Sequence, residues 1–199
     1  MELKSYNICF LGTTGYGKSS LINALFGTNF QVKPIESCTK ELYSVTMLTN
    51  QIKGYDSIRV FDTPGIGEFS SNAPYQKYYN YATSKADCIV LVLTFQRLDS
   101  EPQLLLESIK PYLKSSNVRF VIAINHIDSQ EVDGKEKYIA WDELNHKPTS
   151  ECLDCIKERT ENILSKRRYL DFLPFKIVPV CCVENYGIEE LKNEILTVK

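Results

Sequence analysis

Eight residues near the amino end, Gly12-Thr13-Thr14-Gly15-Tyr16-Gly17-Lys18-Ser19, combine three glycines, a lysine and a hydroxyl at set spacing. The pattern G-x-x-x-x-G-K-S suits the binding of nucleotide phosphates. Its glycines allow unusual dihedrals and a close approach of phosphate to backbone. A turn of this kind that opens a helix aims several N–H groups at one point, with the positive end of the helix dipole behind them. Lys18 then reaches the β- and γ-phosphates, and the Ser19 hydroxyl ligates Mg²⁺. Thr13, Thr14, Tyr16 and Ser20 belong to the same nucleotide-binding set. A plain glycine linker would give similar spacing, but the flanks argue against it. Tyr6–Leu11 is an apolar run of strand length, and Ser20–Phe26 has apolar residues at helical spacing before Gly27 as a stop.

Two later stretches add chemistry that this loop lacks. Asp62-Thr63-Pro64-Gly65 follows an apolar strand pattern. Ligands of open α/β sheets collect at the carboxyl ends of strands. Asp62 is thereby expected beside the phosphate loop as a Mg²⁺ partner, directly or through water, with the Gly65 N–H approaching the γ-phosphate. Asn125-His126-Ile127-Asp128 ends a second strand pattern. The Asp128 carboxylate accepts from guanine N1–H and the 2-amino group, a donor pair adenine lacks. Asn125 donates to N7 and ties its loop to the phosphate loop. Cys181 and Cys182 stand at a third strand end, where their backbone is expected to contact the base.

The elements that must carry these residues are legible in order. Strands are expected near 6–11, 42–47, 57–61, 88–93, 118–124 and 175–180, with the second and third joined as an antiparallel hairpin. Helices are expected at 18–26, in a tyrosine-rich stretch around Tyr75–Tyr81, at 101–114, at 151–168 capped by Ser150, and from Ile188 onward. The tyrosines are expected to pack on the sheet. Residues 28–40 and 66–75 read as loops, and 129–150 as an irregular, charged insertion. Cys152 and Cys155 lack two further zinc ligands at sensible spacing.

Composition narrows the class. A chain of 199 residues with 43% hydrophobic content suffices for one domain with a sizeable core. No apolar run reaches membrane-spanning length, so no integral membrane segment is expected, and no signal-peptide core stands at the start. Seven cysteines, an odd number scattered through apolar runs, indicate a reduced, cytoplasmic setting. A net charge of −2 offers no basic field for nucleic acid.

In order and spacing, G-T-T-G-Y-G-K-S-S-L-I-N-A-L-F-G, D-T-P-G, N-H-I-D and V-P-V-C-C-V-E-N-Y-G-I-E-E-L resemble the TrmE–Era–EngA–septin-like P-loop GTPases. The resemblance covers nearly the whole chain, and is narrowest with small, single-domain, Era-like members of the ribosome-biogenesis type. It implies an α/β P-loop NTPase fold, a six-stranded, mostly parallel sheet with helices on both faces, forming one G domain over 1–199. It also implies a loop threonine over Mg²⁺ and the γ-phosphate, for which Thr39 is the candidate. Four positions depart from the pattern. His126 replaces a lysine, leaving an imidazole to stack on the base. Cys181-Cys182-Val183 replaces S-A-K. Gly15 stands where potassium-activated members carry asparagine. Ile66 stands where Ras-like members carry a water-orienting glutamine, which implies slow intrinsic hydrolysis.

The expectation is a guanine-nucleotide switch that binds GTP and GDP with Mg²⁺ and hydrolyses GTP slowly. Lys18, Thr39 and Gly65 serve the reaction, and Ser19, Thr39 and Asp62 hold the metal. Its partner is an unidentified effector protein, a nucleotide-dependent dimer is compatible with the family, and nucleic acid is not expected. An assembly module with negligible turnover, a P-loop ATPase and a membrane-remodelling GTPase are the alternatives.

Overall fold

The computed structural model describes residues 3–30, 42–65, 76–94, 109–113, 118–129, 141–165 and 175–197. Six strands form one sheet: β1 (Ser5–Leu11), β2 (Tyr43–Leu48), β3 (Ser57–Asp62), β4 (Cys88–Thr94), β5 (Arg119–Asn125) and, after a small hairpin of β6 (Trp141–Asp142) and β7 (Lys147–Pro148), β8 (Phe175–Pro179). Their spatial order is β2-β3-β1-β4-β5-β8. All neighbours are parallel except β2 and β3, which pair antiparallel. The fold is the α/β P-loop NTPase fold, with the mostly parallel six-stranded sheet expected.

Parallel strands must be covered on both faces, because their connections lay helices there. Side-chain alternation within each strand then divides the core in two. Cys9, Leu11, Ile89, Leu91, Leu93, Phe120, Ile122 and Ile124 face α2 (Gln76–Lys85) and α3 (Ser150–Ser165) through Tyr79, Ala82, Cys152 and Ile156. Ile8, Phe10, Val60, Val90, Val92, Val121 and Ala123 face α1 (Lys18–Phe26) and α4 (Ile188–Leu196) through Leu21, Ile22, Leu25, Leu191 and Ile195. β2 covers one edge and carries exposed Tyr43 and Leu48.

Register brings the chemistry-bearing strand ends to one edge of the sheet. Phe10 lies opposite Asp62, Thr94 opposite Asn125, and Ile124 opposite Pro179. The phosphate loop after β1, Asp62 at the end of β3, Asn125 at the end of β5 and Cys181 beyond β8 therefore share that edge.

Two local expectations change, and a third feature, the distorted turn at Pro111, is what a proline in the last turn of a helix produces. The cap of α3 is Thr149, whose Oγ1 accepts from the Cys152 N–H at 3.2 Å, whereas Ser150 turns its hydroxyl to Glu151. Both hydroxyls suit an N-cap, and the entering chain direction selects one. Within the stretch expected to be irregular, Trp141–Asp142 and Lys147–Pro148 pair as an antiparallel hairpin. Strands of two residues are too short to leave a period in sequence. Around Pro111, Lys110–Tyr112 forms a 3₁₀ turn. Most of the helix expected at 101–114, the basic run 166–168, Thr39, Ile66 and the loops 31–41 and 66–75 lie outside the described residues. Among the described residues, no helix is long and apolar enough to cross a membrane.

Candidate functional site

The phosphate loop is anchored at both ends before any ligand is considered. Tyr16 buries its ring in the α1-side core. A turn bond from Tyr16 N–H to Thr13 O, 3.3 Å, closes the loop. Gly17 then enters α1 in the left-handed region at φ 81. A β-carbon at Gly17 would also strike the Asn125 amide, so both conformation and space demand glycine there. Asn125, buried at 1% exposure, donates from Nδ2 to the Tyr16 carbonyl at 3.0 Å.

Lys18 opens α1 and folds back over the loop. Its Nζ donates to Gly12 O at 2.9 Å and Thr13 O at 3.1 Å. Burial lowers its pKa to about 8, against the opposing pull of the Asp62 carboxylate. A buried ammonium with carbonyl partners is short of full counter-charge. Phosphate oxygens at the helix amino end would supply it.

Ser19 and Asp62 meet directly, the hydroxyl donating to Oδ2 at 2.6 Å. Asp62 is 1% exposed. The pair consists of hard oxygen donors beside the phosphate loop. That donor set fits Mg²⁺, which takes one or two protein oxygens and completes its shell with phosphates and water. The end of β3 is pinned to β1 by Thr63, whose Oγ1 donates to Phe10 O at 2.7 Å. Gly65 lies against the loop so closely that a β-carbon there would collide with Thr14. The Tyr79 hydroxyl of α2 donates to Pro64 O at 2.7 Å and Gly65 O at 3.2 Å. Thr63 and Tyr79 were absent from the sequence-derived set. A threonine inside D-T-P-G and the tyrosine-rich stretch of α2 were the available signals.

The third group surrounds Asn125. His126 follows it with φ 58, a conformation unusual outside glycine. The 3₁₀ turn Ile127–Ser129 carries Asp128, which is exposed. Cys182 donates its thiol to Asn125 Oδ1 at 3.5 Å, so that amide is held at both its ends. Burial pushes each thiol up to about 11, and the negative charge of Asp128 adds to the effect. Neither cysteine therefore rests as a thiolate at neutral pH. Cys181 exchanges both backbone bonds with Tyr186 at 3.0 Å. Its N–H is engaged inside the loop by the Tyr186 carbonyl. Tyr186 also packs edge-on against Trp141, and His146 meets Glu184 at 2.6 Å. The hairpin missed in sequence thus buttresses the loop beyond β8.

The structure brings together Gly12 through Ser20, Asp62, Gly65, Asn125, His126, Asp128, Cys181 and Cys182. Thr39 lies outside the described residues.

The family model of the 50S ribosome-binding GTPases matches residues 7–126. GTP-binding protein A of Dictyostelium discoideum is 33% identical over 107 residues, covering 50% of this chain and 23% of that protein. Among solved structures, Era in complex with MgGDPNP and a segment of 16S ribosomal RNA shares 22% identity at TM-score 0.68. The match covers 98% of this chain and 57% of that one. NFeoB of S. thermophilus bound to GDP·AlF₄⁻ shares 21% identity at TM-score 0.61, over 97% of this chain and 64% of that one. The chain spans less than a quarter of the curated relative's length and a little over half of Era's.

These findings correct one expectation. Absence of a nucleic-acid partner was expected from a net charge of −2. The family is described as ribosome-binding, and Era was captured on ribosomal RNA. Net charge averages over a whole surface and does not exclude a local contact with RNA. The nucleotide-site motifs, the P-loop fold and the family match agree, and the chain belongs to the 50S ribosome-binding GTPase family as a P-loop GTPase domain.

Proposed function

We propose that this chain is a guanine-nucleotide switch that hydrolyses GTP slowly to GDP and phosphate. One observation carries the reading: a buried lysine, a serine–aspartate pair and an asparagine–aspartate loop from distant parts of the chain share one edge of the sheet. Lys18 moves from the Gly12 and Thr13 carbonyls to the β- and γ-phosphates and balances their charge. Ser19 and Asp62, with Thr39, would hold Mg²⁺, which would supply positive charge to offset that of the phosphates. Gly65 offers its N–H to the γ-phosphate. Asn125 and Asp128 select guanine, with His126 and Cys182 beside the base. Isoleucine at position 66 cannot orient a water by hydrogen bonding, which supports a slow intrinsic rate.

The domain acts in the cytoplasm, with the ribosome or its RNA as the partner class suggested by the family description. One domain spans residues 1–199. The second reading is a nucleotide-loaded assembly module with negligible turnover, favoured by the same isoleucine. Single-turnover hydrolysis at stoichiometric protein, with Mg²⁺ and with chelator, separates them. Mg²⁺-dependent release of phosphate supports the switch. Tight GTP binding with no release supports the module. Preference for ATP removes both.

A further inference from the structure

Among the described residues, Tyr79 is the largest of the fully buried side chains, at 1% exposure, and it is a tyrosine where packing alone would accept phenylalanine. Its hydroxyl is satisfied by the backbone of the D-T-P-G segment: Pro64 O at 2.7 Å and Gly65 O at 3.2 Å share its proton. Among the described residues, no peptide bond is cis. In a trans peptide the C=O and N–H of one plane point in opposite directions. Holding the Pro64 carbonyl on the core side therefore turns the Gly65 N–H away from α2. The phosphate loop packs against Gly65 at Thr14. Thr63, bonded to Phe10 O at 2.7 Å, fixes the residue before this plane. The plane has little freedom left except rotation about the bonds that Tyr79 restrains.

We propose that Tyr79 is a positioning residue for γ-phosphate recognition, holding the Pro64–Gly65 peptide so that the Gly65 N–H faces the phosphate site. The proposal rests on the nucleotide site described above and adds the residue that orients its γ-phosphate donor.

The experiment compares GDP with a non-hydrolysable GTP analogue, both with Mg²⁺, on the full chain and its variants. Tyr79→Phe keeps the ring and removes the donor. Loss of the hydrogen bond that orients the Gly65 N–H, a donor used only by the triphosphate, should weaken analogue binding by about five- to tenfold and leave GDP affinity within about twofold. Replacement of Tyr79 by 4-aminophenylalanine restores a donor at the same place and should restore the ratio. Thr83→Val is the control, since Thr83 Oγ1 bonds the backbone carbonyls of Tyr79 and Asn80 within α2 and its loss leaves the Tyr79 hydroxyl in place. It should lower the melting temperature without changing the ratio. An unchanged ratio in Tyr79→Phe, or a 4-aminophenylalanine variant with the ratio altered from wild type, overturns the proposal while the nucleotide reading stands. Failure of the wild type to bind either guanine nucleotide overturns both.

Discussion

Asn125 holds Tyr16 across 109 positions of sequence, its Nδ2 donating to the Tyr16 carbonyl at 3.0 Å. The same amide accepts the Cys182 thiol on its oxygen. One side chain thus couples the phosphate loop after β1, the end of β5 and the loop beyond β8. A change at Asn125 should disturb phosphate binding as well as base selection.

Asn125→Ala should therefore cost stability and nucleotide affinity together. The Tyr16 carbonyl loses its donor, a penalty of about 1–3 kcal/mol for a buried group. Urea denaturation of the ligand-free protein measures the first effect. Titration with fluorescent GDP measures the second, and affinity should fall at least about tenfold. Loss of affinity with unchanged stability would confine Asn125 to the base.

Lys18→Ala should leave the fold intact and weaken triphosphate binding. Lys18 is buried, yet among the described residues its ammonium bonds loop carbonyls, and its pKa is lowered to about 8, signs of a charge held at a cost. Charge-assisted bonds contribute about 1.5–3 kcal/mol, so GTP affinity should fall by roughly 10- to 150-fold. Fluorescent-nucleotide titration checks the loss, and far-UV circular dichroism the fold. Unchanged affinity would sink the phosphate-loop assignment.

Mg²⁺ dependence should reside in the Ser19–Asp62 pair, joined at 2.6 Å. In the wild type, chelator should speed GDP release. Asp62→Asn removes the charge and keeps the shape, so release in Mg²⁺ should approach the chelator rate. Stopped-flow displacement of labelled GDP reads both. A variant that keeps the full Mg²⁺ effect would move the metal elsewhere.

Base choice should exchange with one substitution. Asp128 offers guanine two acceptors, whereas xanthine presents a carbonyl in place of the 2-amino group. Asp128→Asn offers one acceptor and one donor, matching xanthine. Preference should pass from GTP to XTP by roughly tenfold or more in each direction. Competition of GTP, ATP and XTP against a labelled nucleotide tests both proteins. A variant that still prefers GTP would show that Asp128 does not read the base.

The sequence by itself determined the strand-loop-helix around Lys18, the antiparallel β2–β3 pair and the buried parallel strands. Each depends on near neighbours: glycine spacing, apolar runs and their periods. It also carried Ser19, Asp62, Asn125 and Asp128 as candidates, because open sheets collect ligands at strand ends. The tie from Asn125 to the phosphate loop was also expected, and tertiary structure decided which atoms become the partners. Asn125 on Tyr16, Tyr79 on Pro64 and Thr63 on Phe10 are hydrogen bonds whose acceptors are backbone carbonyls. Every residue presents such a carbonyl, so the amino-acid type of the acceptor leaves no mark in the sequence. The Cys181–Tyr186 bridge and the Trp141–Pro148 hairpin were hidden for a related reason: they are too short to show a period. Residue type specifies what a group can donate or accept. Only packing of the sheet and helices decides which of many equivalent carbonyls lies within reach.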